Sequence, residues 1–315
     1  DAAMQQYLAT EEAQRSVQIS LIAEVAQLWL TYAADRERLA LAKRTYETRV
    51  TSHELIQRSF AVGVVSELDV RQSESLVQAA RADLARYQTV LAQDENALTL
   101  LLGSSLRAEL KPDSLTTSVS ALGDLPVGVP SEVLVRRPDI LQAEYALRAA
   151  NANIGAARAA FFPSIALTAG AGTASNALDG LFGSGSGAWS FMPQIRVPIF
   201  EAGRLQASLD VAEVQRDIGV AQYEKAIQTA FREVADVLAD KATLAERLDA
   251  RSKLVAANAD SVRLSEVRYN SGVDNFFVLL DAQRTLFGSE LLLIEVRLLE
   301  AVNRVTLYKA LGGGG

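Results

Sequence analysis

Between residues 201 and 269 apolar side chains return in alternating steps of four and three. Ile227, Phe231, Val234, Leu238, Ala245 and Leu248 carry the rhythm, broken where Lys241 takes the expected place. A heptad seam of this kind predicts a long helix packed against other helices. Leu21, Val25, Leu28, Tyr32 and Leu39 give the same reading nearer the N-terminus. No proline interrupts 201–269, and Gly203 and Gly219 stand near its start. At about 1.5 Å per residue such a helix approaches 100 Å, far beyond ordinary globular helices. A different period occupies 163–199. Trp189, Phe191, Pro193, Ile195, Val197 and Ile199 alternate with Ser190, Met192, Gln194, Arg196 and Pro198. Before them Ile165, Leu167, Ala169, Ala171 and Thr173 alternate with smaller or polar residues, and a glycine-rich loop from Asp179 to Gly187 separates the two runs. Period two predicts two strands of a hairpin.

The chain also repeats itself. Glu24-Val25-Ala26 returns as Glu233-Val234-Ala235, Gly63-Val64 as Gly272-Val273, and Leu102-Gly103 as Leu311-Gly312, always 209 positions later (233 − 24 = 312 − 103 = 209). A constant offset without slippage marks a duplicated unit. Each copy reads as a long helix, a sharp turn and a second long helix, with Gly63 and Gly272 at the two turns supplying backbone freedom. The predicted class is therefore mainly α with one β-hairpin. The predicted organisation is a first helical hairpin over 1–103, a proline-rich connector over 104–135, and a helical segment over 136–162 whose helix starts near Pro138. The β-hairpin follows over 163–199. A second helical hairpin occupies 200–312 with its tip near 270–284, and 313–315 form a glycine tail. Subtracting 209 from 163–199 places a twin β-hairpin at −46 to −10, so the reading expects one upstream of Asp1.

Composition narrows the chemistry. The 315 residues are 49% hydrophobic, yet no run approaches about 18 uninterrupted apolar residues, so no membrane-spanning helix is expected. The absence of Cys removes disulfides, thiolate metal sites and thiol nucleophiles, and a lone His53 leaves no multi-histidine metal site. A formal charge of −7 argues against a nucleic-acid partner. His53-Glu54 lacks the second histidine of a zinc-protease motif and reads as a solvated helix histidine. Gly170-Ala171-Gly172 lacks the rest of a dinucleotide fingerprint, and no lysine follows the 183–187 glycines as a phosphate loop requires. No catalytic, cofactor or metal residue is expected. The strand lengths instead suit a tilted transmembrane β-strand, with Trp189 and Phe191 as interfacial aromatics. Two strands cannot close a barrel, so the hairpin requires copies from elsewhere.

Several stretches resemble the TolC-like outer-membrane factor family, in particular its OprM-type branch serving resistance-nodulation-division multidrug efflux. They include Gln72 to Gly103, Arg136-Arg137-Pro138-Asp139-Ile140, Ala156 to Pro163, Ala221 to Phe231, Gly272-Val273-Asp274-Asn275 with Asp281-Ala282-Gln283-Arg284, and Leu307 to Gly312. The resemblance covers most of the chain in family order. It implies a homotrimer in the outer membrane of a Gram-negative bacterium, each protomer giving four strands to a twelve-stranded barrel. The long helices would form a periplasmic α-barrel. Expected partners are a periplasmic adaptor, an inner-membrane transporter and outer-membrane lipid. Two other readings remain: a non-pore periplasmic coiled-coil adaptor, and the outer-membrane factor of a type I secretion system.

By position the resemblance carries a periplasmic gate onto Phe277, Asp281 and Arg284, against which stands a seam phenylalanine beside a solvated acid. It also carries a link between the two helical hairpins onto Asp69 and Tyr269; a packed tyrosine and a solvated aspartate read equally well. Trp189, Phe191, Ile195, Val197 and Ile199 form the predicted membrane face. Gln194 and Arg196 stand as pore-lining candidates or as plain solvated strand residues. Arg136, Arg137 and Asp139 read as a structural cluster at a helix start.

Overall fold

The computed structural model describes residues 1–112, 114–115 and 135–313. Most of the predicted connector at 104–135 and the end of the 313–315 tail lie outside the described residues. Among the described residues five α-helices and two strands follow in order: α1 (Ala2–Ala61), α2 (Glu67–Leu102), α3 (Pro138–Ala159), β1 (Ser164–Thr173), β2 (Gly187–Arg196), α4 (Arg204–Asn270) and α5 (Phe276–Ala310). None of the seven prolines interrupts α1, α2, α4 or α5, and Pro138 sits at the first position of α3, where its missing N–H costs nothing. The 67 residues of α4 match the length read from its periodicity.

The duplication is visible in hydrogen bonds. At the α1–α2 turn the Gly63 N–H donates to the Phe60 carbonyl and the Val64 N–H to Ser59. At the α4–α5 turn Gly272 donates to Tyr269 and Val273 to Arg268. Both turns are the same helix-ending motif, and Gly63 (φ 77°) and Gly272 (φ 71°) occupy its left-handed position. Ser66 and Asn275, again 209 apart, cap the helices that follow, each side chain accepting a backbone N–H.

Contacts divide the chain into two compact units, one of Asp1–Gln14 with Pro138–Gln228, the other of Arg15–Arg137 with Thr229–Gly315. The division cuts through α1 and α4. In the first unit α3 lies close against the start of α4: a Cβ on Gly219 would meet Leu147 Cδ1 at 3.2 Å. Arg158 and Glu213 pair across the same two helices at 3.4 Å. In the second unit α1 packs on α5 through Ala23, Leu30, Ala33, Ala34 and Leu41 against Ile294, Ala301 and Val305. Alanines at these places let the backbones approach closely. Leu98 of α2 meets Tyr32 of α1, with Leu28 and Leu91 packed around them.

One expectation needs correction. The buried seam of α4 runs through Ala230, Val237 and Leu244, one position before the predicted Phe231, Leu238 and Ala245. Neighbouring positions on a helix lie about 100° apart, so that shift turns Phe231, 49% exposed, away from the packed face. Leu21 likewise stays exposed in α1. One 18-residue window of α1 reaches a mean hydropathy of 1.2, enough by length and composition alone to cross a membrane, a test that a core helix also passes.

Candidate functional site

The strands pair antiparallel in a register that decides which residues share a face. Ile165 opposes Ile195, Leu167 Pro193, Ala169 Phe191 and Ala171 Trp189. Directly opposed residues point to the same side, so both apolar alternations fall on one face of the hairpin. The other face carries Ser164 opposite Arg196, Ala166 opposite Gln194, Thr168 opposite Met192 and Gly170 opposite Ser190. A slip of one residue would mix the two faces. All ten residues of each strand are exposed. Ten residues at about 3.3 Å each, tilted about 40°, rise roughly 25 Å, the height of the apolar band of an outer-membrane barrel. Aromatic side chains mark both ends of the hairpin: Phe161, Phe162 and Phe200 at its base, Trp189 and Phe182 toward its loop, all exposed. β2 ends at Arg196, so Val197 and Ile199 leave the predicted strand and continue the chain past it. Pro198, without an N–H to offer a ladder, accompanies that ending.

At the other functional candidate, the hairpin tips, an apolar cluster joins the two copies. Ile56 of α1 packs with Phe276, Leu279 and Leu280 of α5, and Val65, Val70, Leu76, Val262 and Tyr269 surround them. Phe277, Asp281 and Arg284 follow one another at steps of four and three along α5. They share a shallow groove of about 200 Å³ with Gln72, Ser75 and Leu76 of α2. Phe277 is 58% exposed. Arg284 donates to Asp281 at 2.5 Å, so the acid that the resemblance places in a gate has a basic partner on its own helix.

The Asp69–Tyr269 pair is close but not hydrogen-bonded. The Asp69 carboxylate accepts from the Ser66 N–H at 2.9 Å and the Ser66 hydroxyl at 2.7 Å, closing a capping box at the start of α2. Tyr269 stacks at a tilt on Phe276, ring centres 5.4 Å apart. Burial raises its phenol above the ordinary tyrosine range, and the Asp69 charge adds to the shift. Among the described residues the two interact through charge, not a hydrogen bond.

Three contacts escaped the sequence reading. Arg268 binds Asp274 across the second turn through two hydrogen bonds, 2.6 and 2.8 Å. The pairing holds the Asp274 carboxyl below its usual range and the Arg268 guanidinium above its own. The turn itself brings residues six apart together, so helix periodicity gave no sign of it. Arg137, 5% exposed, donates to the Ala310 carbonyl at the end of α5 and to Glu233 of α4, both at 2.8 Å. There it compensates the unpaired carbonyls of a helix C-terminus. Finally, His53 is half-buried rather than solvated, holding Ser73 of α2 at 2.7 Å and Gln57 at 2.9 Å. No cluster of acids or histidines able to hold a metal ion occurs among the described residues.

Comparison with known proteins agrees with this geometry. The chain matches the outer membrane efflux protein family over residues 1–104 and 129–313. It is 54% identical to the solvent efflux pump outer membrane protein SrpC of Pseudomonas putida over 312 residues, covering 99% of this chain and 66% of that protein. It is 47% identical to the outer membrane protein OprJ of Pseudomonas aeruginosa, covering all of this chain and 66% of the relative. It therefore spans about two thirds of the length of these relatives. Among solved structures, the open state of the Neisseria gonorrhoeae MtrE outer membrane channel superposes with a TM-score of 0.85. That match has 40% identity over 99% of this chain and 70% of the other. The fold is that of the outer-membrane factor channels, and the outer membrane is where the chain resides. A chain that repeats a capped helical hairpin and carries an exposed, one-sided apolar β-hairpin belongs to the outer membrane efflux protein family.

Proposed function

We propose that this chain is the greater part of an exit duct, which conducts small molecules from a periplasmic adaptor and an inner-membrane transporter through the outer membrane. The role asks for a sealed wall and a polar passage, not for catalysis. The observation that carries it is the register of the β-hairpin, which collects Ile165, Leu167, Trp189, Phe191 and Ile195 on one face and Gln194 and Arg196 on the other. With lipid against the first face and water against the second, each unpaired strand edge requires another strand, which copies in a homotrimer and further strands of the whole protein would supply. Val197 and Ile199 extend the apolar run to its end at the membrane boundary. Relatives named as solvent and antibiotic efflux pump outer membrane proteins support solvents or antibiotics as cargo.

On this reading the chain divides as the sequence suggests: membrane strands in 163–199, α-barrel helices in 1–103 and 200–312, and a tip near 270–284. Phe277, Asp281 and Arg284 form the gate at that tip. In a trimer the three phenylalanines would stack an apolar ring beside rings of opposite charge, and Asp69 with Tyr269 would bias the two hairpins together. The test uses the whole protein: outer-membrane fractionation, then single-channel conductance in planar bilayers. Insertion with a stable pore is expected, and a protein that stays out of the membrane fraction and forms no pore overturns the proposal. In the same assay Phe277→Ala with Asp281→Ala should widen the closed pore. Unchanged conductance would remove these residues from the gate.

A further inference from the structure

One cleft of the second unit, about 320 Å³, lies among α1, α4 and α5 and belongs neither to the hairpin face nor to the groove of Phe277. Its α1 wall presents Thr45, Thr48, Arg49 and Ser52, at steps of three, one and three and therefore on one helix face. Arg49 is only 8% exposed, and its Nη1 is buried without a hydrogen-bond partner. An unpaired guanidinium nitrogen in such a place is costly, because it has lost water and gained no acceptor.

The neighbouring hydroxyls are equally unengaged. Elsewhere in α1 the hydroxyls of Thr10, Thr31, Thr51 and Ser59 donate to the carbonyl four residues earlier. Among the described residues, those of Thr45, Thr48 and Ser52 make no hydrogen bond, and neither does the Gln283 amide on the α5 wall. Five donor-bearing side chains thus line one cleft without hydrogen-bond partners among the described residues, although the carboxylates of Glu266 and Glu290 also border it.

Charges around the cleft are mixed. Arg44 stands 4.0 Å from Glu290, and Glu266 lies exposed on the α4 wall. Asp83 and Arg284 act on Arg49 from outside, and burial outweighs Asp83 in holding the guanidinium below its usual range.

We infer that this cleft is a binding site for a small oxyanion with the chemistry of phosphate, seated on Arg49 and received by the hydroxyls of Thr45, Thr48 and Ser52. A guanidinium offers paired N–H donors in the geometry of such an anion, and hydroxyls complete its shell. Arg44 and Arg284 add positive potential; exposed Glu266 opposes it and turns to solvent when the anion enters. An anion here would brace α1, α4 and α5 near the hairpin tips.

The test uses the full-length protein in detergent, titrated with inorganic phosphate at constant ionic strength, reading the thermal midpoint and calorimetric binding. A saturable rise in midpoint is expected, absent with matched chloride. Arg49→Gln should weaken phosphate binding roughly tenfold or more while leaving the phosphate-free midpoint unchanged or higher. Should Arg49→Gln fail to fold, Thr45→Val with Ser52→Ala should weaken binding severalfold. Glu266→Gln should tighten it, an effect that a purely structural Arg49 would not produce. An equal response to chloride, binding that survives Arg49→Gln or the double variant, or no saturable response in the wild type would each overturn the inference. The last result would leave Glu266 as the internal partner of Arg49.

Discussion

The α1–α2 and α4–α5 hairpins share a backbone and differ in what fastens it. Both turns make the same two carbonyl contacts around a left-handed glycine, and both next helices begin on a polar cap. In the first hairpin Ser66 and Asp69 cap each other at the start of α2, and His53 of α1 reaches across to Ser73. In the second, Arg268 and Asp274 clamp the turn from both sides, and Tyr269 stacks on Phe276. Deeper in the hairpins the same divergence recurs. Asp35 and Asp94 of the first correspond, at the 209-residue offset, to Leu244 and Asn303 of the second. Buried Asn303 gives a hydrogen bond to the Val237 carbonyl at 2.9 Å. Burial pushes the Asp94 carboxyl up to about 7, with Asp35 adding to the shift and Arg38 opposing it. A duplicated backbone motif has thus persisted while the charges that tune it have separated.

The largest effect should come from the cluster shared by both tips. Phe276 is 4% exposed among Ile56, Leu279 and Leu280, so Phe276→Ala should cost about 3 kcal/mol or more in chemical unfolding. A loss below about 1 kcal/mol would mean that the hairpins are fastened separately. Next come Gly63→Ala and Gly272→Ala. Neither Cβ would meet an atom within 4 Å, so only the left-handed conformation is penalised, and each should cost about 1 kcal/mol. Equal costs uphold the equivalence of the turns, and a several-fold difference breaks it.

A smaller effect tests the acidic pair. Folded Asp94 keeps its proton up to about pH 7, whereas the unfolded chain releases it near 3.8. Between those values the folded state binds more protons, so stability falls as pH rises and levels off above 7. Asp94→Asn gives the first hairpin the residue of the second and should flatten the fall, raising the unfolding midpoint at pH 7.5. A wild-type profile flat from pH 4 to 7 would contradict the assignment. The smallest effect concerns Asp274, whose carboxyl is held below its ordinary range. Its contribution is complete above the unfolded value and is lost only as pH falls through the lower folded value. Wild type and Asp274→Asn should therefore differ slightly at pH 6 and converge in acid. Persistent separation at low pH would show that the Asn change acts through something other than the ion pair.

Much of this was legible in the sequence. Helix lengths followed from uninterrupted periodicity and the placement of proline, and the constant offset announced two equivalent turns before any hydrogen bond was known. The Ser66-to-Asp69 spacing is itself a capping signature. The α4 seam was read one position late, because Phe231 and Leu238 are more hydrophobic than Ala230, whose small size suits it to close packing. The candidate gate was legible only through family resemblance; nothing in the spacing of Phe277, Asp281 and Arg284 reveals that α2 supplies the other wall of their groove.

What the sequence by itself determined is everything set by local chemistry and period: the helices, the strands, the glycine turns, the caps and the apolar alternation of each strand. Tertiary structure alone decided what depends on two distant segments meeting. It set the register that puts both apolar alternations on one face, the burial of Arg137 against Ala310 and Glu233, the bridge from His53 to Ser73, and the burial of Arg49 Nη1 without a hydrogen-bond partner. The physical reason is range. Backbone preference and periodicity act over a few residues, whereas the energy of a buried charge or a shared face is fixed only by what lies across the packing interface.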